Sequence, residues 1–477
     1  MSNNYKWWVL GSISVGLFVS VLDQTAITLA IPVIADHFQA DIPTVQWVLL
    51  GYILTTSALM LPMGRLSDLV GRKPIYIGGL TLFLLAAMGA GLAPVLSVVI
   101  MFKVLQGVGA SMIQANSMAI VTSTFPDTER GKAIGLLMTV VGIGGMSGPV
   151  IGGAVVEMLG WRFIFFQGVP LGLLSIAISM MVLRPEENRK TANSSNPQGF
   201  DWLGAAFSAI ALSGFLLCTT FGQEIGWRSP VILGGFLSVF LLAFVFIRWE
   251  LKTESPMFPL ELFQRRKFSF GVIANFLSFI NSTSIFFLMP FYFQKVRLYT
   301  PLQTGLFLMA TPICFSIIGP IAGRLSDALG AKWFIIGGLL ISTSSFFGLS
   351  RLTDTTPIVL VVMLLVIGGI GMASFFSPNA SAVLSSVERP RYGIATAFLN
   401  MLRNTATVTG LALVTTIVTT VMTSHGLEPS LSAVGNEAGG ASQIAFTGGL
   451  KLAFLAACFL NGLAAFVSIF QWSPTGK

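Results

Sequence analysis

Fourteen apolar runs, each of about the 20 residues needed to cross a bilayer as a helix, succeed one another along this chain of 477 residues. They cover 8–31, 44–64, 74–93, 96–121, 132–157, 163–183, 202–221, 230–249, 268–293, 302–323, 333–351, 357–384, 392–422 and 449–470. Lipid offers no hydrogen bonds, so each run must satisfy its own backbone, and a helix does so. Composition points the same way. Only 10% of the residues are charged and 54% are hydrophobic, where a soluble domain carries about 25% charged residues. The predicted fold is all-α and polytopic.

The charges that remain lie mostly between the runs. With the N-terminus placed in the cytoplasm, 19 of the 27 lysines and arginines fall in cytoplasmic segments, as the positive-inside rule requires. An even number of spans then returns the C-terminus to the cytoplasm. The net charge of +8 is explained by this topology, and no nucleic-acid partner is expected. Cys218, Cys314 and Cys458 sit in apolar stretches without a CxxC pair, and His37 and His425 fall in polar loops. Neither a metal nor a cofactor is expected. No Ser-His-Asp set or phosphate-binding loop appears, so an enzyme is not expected. The opening MSNNYKWW reads as the start of a retained helix.

One charged segment occurs twice. GRLSDLVGRK (Gly64 to Lys73) returns as GRLSDALGAK (Gly323 to Lys332), identical at seven of ten positions. Both copies stand between apolar runs and read as short cytoplasmic loops. Aligning Pro32 with Pro290 extends the repeat and sets Asp23-Gln24-Thr25 on Asn281-Ser282-Thr283. Spans 1–6 and 9–14 thus form two parallel six-helix halves, the sign of a transporter that works by moving one half against the other. The domains expected are 1–184, a six-helix bundle; 185–267, linkers carrying two inserted spans; and 268–477, a second six-helix bundle.

A charge inside a span costs roughly 2.5–3.5 kcal/mol on insertion scales, so each one needs a reason. Three lie clearly inside: Asp23, Lys103 and Arg403. Asp23 and Lys103 both fall roughly 10–14 Å below the outer surface at the helical rise per residue, which permits an ion pair. A carboxylate beside a cation stays ionised, and one that loses its cation in a dry site takes a proton. The pair could couple protons to transport, or could serve only helix packing. Arg403, flanked by Asn400 and Asn404, could meet an anionic substrate group or tie down its own helix. Gln24, Thr25 and Asn281 complete the candidate substrate contacts. Gly144, Gly148 and Gly152, with Pro149, place small residues on one face of span 5 and predict a close helix contact. In the repeated loop, Asp68 can bond Arg65, Arg72 or the next helix start. Gly64, Lys73 and the second copy's Asp327 complete a predicted conformational latch.

At these residues the chain resembles the major facilitator superfamily, and within it the fourteen-helix drug:proton antiporters. GRLSDLVGRK is similar to that superfamily's loop 2–3 signature. LDQTAITLAIP (Leu22 to Pro32) resembles the first-helix motif whose aspartate is associated with proton coupling, and GGMSGPVIGG (Gly144 to Gly153) resembles the antiporter motif of helix 5. WRFIFFQGVPLG (Trp161 to Gly172) is similar to the start of helix 6 in that group. Two positions depart. Lys103 stands before VLQG where the family has arginine, and Gly168 stands where it usually has asparagine. The resemblance implies a plasma-membrane, proton-coupled exporter of hydrophobic, amphipathic or cationic organic compounds, acting as a monomer. A lipid or glycolipid flippase of the same fold is the alternative.

Overall fold

The computed structural model describes residues 4–126, 129–184, 202–253, 260–388, 392–426 and 441–472. Within the 185–267 segment read as linkers with two inserted spans, residues 185–201 and 254–259 lie outside them. The long helices are α1 (Tyr5–Phe38), α2 (Trp47–Val70), α3 (Arg72–Gly91), α4 (Leu96–Thr124), α5 (Arg130–Leu159), α6 (Val169–Val182), α7 (Trp202–Ile225), α8 (Pro230–Glu250), α9 (Arg266–Phe291), α10 (Ala310–Leu329), α11 (Ala331–Leu349), α12 (Ile358–Ser385), α13 (Tyr392–Ser424) and α14 (Ala441–Phe470). Thirteen spans among the described residues are long and apolar enough to cross a membrane, and the shorter Ala206–Gly222 is also apolar. These coincide with the fourteen runs read from sequence. The fold is an all-α, polytopic membrane protein, its helices gathered into N- and C-terminal bundles.

Helices α2 and α10 outlast their apolar runs. The repeated segment, read as a loop, is helical from Gly64 to Val70, and its second copy from Gly323 to Leu329. A single glycine breaks each: Gly71 at φ +106° and Gly330 at φ +94°. That region penalises a Cβ, so the tight reversal between consecutive helices falls on glycine both times. Charged residues marked where the bilayer ends, not where the helix ends.

The chain divides into two compact units. The first comprises Met1–Ala30, Trp47–Leu217 and Leu233–Met257. Its α3 and α4 touch backbone to backbone: a Cβ on Gly109 would lie 2.6 Å from the Phe83 nitrogen and 2.7 Å from the Gly79 carbonyl. Helix α2 also packs on α4, and α6 on α3.

The second unit comprises Ile31–Gln46, Cys218–Ile232 and Phe258–Lys477. It repeats these devices. A Cβ on Gly371 of α12 would lie 2.5 Å from the Ser342 nitrogen and 2.7 Å from the Gly338 carbonyl of α11, while α10 packs on α12 and α14 on α11. The end of α1 from Ile31 onward belongs here. Asp36 pairs with Lys295, and the Thr415 hydroxyl donates to Gln46 Oε1 at 2.6 Å.

Candidate functional site

The first unit encloses a charged cluster built by α1, α2 and α4. Lys103 Nζ lies 2.9 Å from Asp23 Oδ2. It also donates to Gln106 Oε1 at 2.6 Å, one helical turn further along α4. Asp23 is 5% exposed, Lys103 1% and Gln106 fully buried. Aromatic faces surround the ammonium, with the Tyr52 ring centroid at 4.8 Å and that of Phe165 at 5.8 Å. Both are close enough for cation–π attraction. The Tyr52 hydroxyl is 3.2 Å from Ser20 Oγ, to which Gln114 Nε2 donates at 3.5 Å.

Burying two ions costs several kcal/mol each before their attraction is counted, and only good geometry repays it. Here the repayment has three parts: the carboxylate, the Gln106 amide oxygen and two ring faces. Among the described residues, Gln106 Nε2 is buried without a hydrogen-bond partner. The cluster therefore carries an unused donor beside an ion pair.

Helix α5 holds the Asp23 turn of α1 from another side. A Cβ on Gly148 would clash with Thr25 Oγ1, and one on Gly152 would meet the Ala26 carbonyl at 2.8 Å. A Cβ on Gly144 would lie 3.2 Å from Val21 Cγ1. The Thr25 hydroxyl donates to the carbonyls of Val21 at 3.0 Å and Gly144 at 3.4 Å. Thr25 thus stands at the α1–α5 crossing, where the glycine face lets two backbones meet, and Pro149 is buried inside α5 beside it. Gln24 is partly buried on α1.

In the second unit the position matching Asp23 is neutral. Asn281 Nδ2 donates to Asn461 Oδ1 at 3.3 Å. Asn461 Nδ2 in turn donates to the Leu339 carbonyl at 3.0 Å and Ser342 Oγ at 2.6 Å. Arg403 and Asn400 are partly buried on α13, and Asn404 is buried. In the first repeat segment Arg72 donates to the Ala119 carbonyl at 3.0 Å. Lys73 donates to the Met180 carbonyl at 2.9 Å and to that of Leu183. Arg72 reaches a carbonyl in the last two turns of α4, and Lys73 serves the end of α6, where carbonyls are left over. The side chains of Arg65, Asp68 and Asp327 lie outside the described residues.

The sequence reading missed Gln106, Tyr52, Phe165, Ser20 and Gln114. Gln106 carried a signal, being polar, inside a span and one turn from Lys103. The aromatic pair carried none, since Phe alone occurs 39 times.

Comparison with known proteins follows this geometry. A family model described as Major Facilitator Superfamily matches residues 13–204, 196–411 and 271–475. The chain is 34% identical to the riboflavin transporter RibZ of Clostridioides difficile (strain 630) over 407 residues, covering 85% of this chain and 87% of RibZ. It is 27% identical to the methylenomycin A resistance protein of Streptomyces coelicolor, covering 89% and 88%. Among solved structures, a bacterial homolog of the human lysosomal transporter Spinster, inward-facing and unoccupied, superposes with a TM-score of 0.71 at 16% identity over the whole of both chains. That likeness speaks for the fold alone.

Proposed function

The chain belongs to the Major Facilitator Superfamily, and from that premise we propose that it is a proton-coupled exporter of hydrophobic or amphipathic organic compounds. The family makes it a multi-pass membrane transporter of small molecules rather than an enzyme. Proton coupling, the direction of transport and the fourteen-helix drug:proton group are our reading. The observation that carries it is the buried contact of Asp23 with Lys103.

A carboxylate locked to an ammonium in a dry site has two states that matter. Paired, it is ionised and held. Protonated, it releases the cation, and the helices carrying the two groups are free to part. Gln106 Oε1 keeps one acceptor on Lys103 when Asp23 lets go, so the ammonium is never stranded. Protons entering from the outer side would trip this switch, and their release into the cytoplasm would reset it. The glycine face of α5, laid on the same turn of α1, transmits the change to a second helix. In this reading residues 1–184 and 268–477 are the moving bundles, both termini are cytoplasmic and the membrane is the plasma membrane. Resistance proteins among the relatives support efflux. The similarity to RibZ favours a second reading, transport of a planar heterocycle of the flavin kind.

The test is proton release from inverted membrane vesicles when a substrate dye is added, read with a pH-sensitive probe. The wild type is expected to release protons, and Asp23→Asn to lose at least about tenfold of that signal. Normal coupling in Asp23→Asn overturns the mechanism.

A further inference from the structure

We infer that Arg403, with Asn400 and Asn404, is the docking point for an oxyanion of the transported molecule, a carboxylate or its equivalent. The inference rests on the export reading and redirects its substrate class, from cationic or neutral amphiphiles to organic anions.

The observation is a difference between two cations. Lys103 and Arg403 both lie well inside spans, where an unsatisfied charge is expensive. Lys103 meets a carboxylate, an amide oxygen and two rings. Among the described residues, Arg403 meets no carboxylate, and no hydrogen bond engages its guanidinium. It is partly buried rather than sealed, and none of its nitrogens is an enclosed orphan. Its donors therefore open onto accessible space.

The surroundings repeat the pattern. Asn400, Arg403, Asn404 and Thr407 stand at i, i+3, i+4 and i+7, one face of α13. Thr407 spends its hydroxyl on the Arg403 carbonyl at 2.9 Å. The Asn400 and Asn404 side chains have no protein partner among the described residues. A planar guanidinium flanked by two amides can take a carboxylate in the paired geometry that lysine cannot offer.

The internal repeat removes the packing explanation. A Cβ on Gly410 of α13 would meet Thr283 Oγ1 at 3.0 Å and the Ile280 carbonyl at 2.5 Å, as Gly148 of α5 meets Thr25. Gly148 and Gly410 differ by 262 in number, and the same shift sets Asn400, Arg403 and Asn404 on Met138, Val141 and Gly142. The α5 helix makes the same crossing with none of these polar groups. The scaffold does not need them, so a ligand is left to explain them. Arg403 lies five residues inside the apolar span that begins at Phe398, about 8 Å along the helix.

The test uses the full chain in inverted vesicles and two probes, a rhodamine dye with a free carboxylate and its methyl ester. Proton-driven uptake is measured for the wild type, Arg403→Gln and Arg403→Lys. The wild type is expected to take up the carboxylate at the lower half-saturating concentration. Arg403→Gln should raise that concentration at least about tenfold more than it raises the ester's, and Arg403→Lys, which keeps the charge but not the paired geometry, should restore only a minor part of the difference. An equal change for both dyes, or a wild type that prefers the ester, overturns the anion site. If that happens while Asp23→Asn still abolishes coupling, the export reading stands alone. Selective loss in Arg403→Gln with normal coupling in Asp23→Asn leaves the anion site and removes the proton mechanism. A wild type that carries neither dye overturns both.

Discussion

Helices α1 and α9 occupy equivalent places in the repeat and use the same device to meet a neighbour: Thr25 against the glycine of α5, Thr283 against that of α13. Two residues earlier they diverge. Asp23 meets Lys103, whereas Asn281 meets Asn461. The shift of 262 that sets Gly109 on Gly371 also sets Lys103 on Leu365, which is fully buried. So the second half keeps the backbone contact and discards both charges. The reverse holds on the next helix pair, where Arg403 stands on Val141. Duplication supplied one scaffold, and each half then took a charge the other lacks. The polar groups that differ between equivalent helices are the ones that packing does not require.

Six variants would break or sharpen this comparison. The largest effect is expected from Lys103→Met, which strands a buried carboxylate at a cost of about 3–5 kcal/mol. The double variant Asp23→Asn with Lys103→Leu copies the second half. It should recover most of the thermal midpoint in detergent while remaining uncoupled in the proton-release assay. A double variant as unstable as Lys103→Met would mean the two halves do not share a tolerant scaffold. Next comes Gly148→Ala, whose new methyl meets Thr25 and should cost up to about 3 kcal/mol. Gly142→Ala, on the same helix with open space at its Cβ, serves as its control and should leave the midpoint within about 0.5 kcal/mol.

A smaller loss is expected for Asn461→Ala. It orphans the Asn281 amide, costing about 1–2 kcal/mol, and proton release should be kept at the reduced midpoint. Loss of coupling there would show that the neutral cluster also takes part in transport. The smallest effect belongs to Arg72→Ala. Its guanidinium reaches the Ala119 carbonyl, and the equivalent Ala331 does without one. A drop of about 0.3–1 kcal/mol in thermal stability is expected.

The chain's spans were legible because hydropathy alone decides what lipid will accept. The reversal at Gly71 was partly legible. Glycine announced the turn, but the charges around it suggested a loop where the helix continues. The approach of Asp23 to Lys103 could be anticipated from equal depth. The Tyr52 and Phe165 rings could not, because depth says nothing of which way side chains on other helices face.

The sequence by itself determined the fourteen apolar helices, the duplication, the change from Asp23 to Asn281 and the presence of three charges within spans. Each follows from composition and order along the chain. The tertiary structure decided which of those charges are satisfied. It gave Lys103 a carboxylate and two ring faces, gave Asn281 the amide of Asn461, and gave Arg403 no protein partner among the described residues. Satisfaction depends on helix rotation and on side chains hundreds of positions away. One-dimensional patterns constrain depth in the bilayer, and only packing fixes direction.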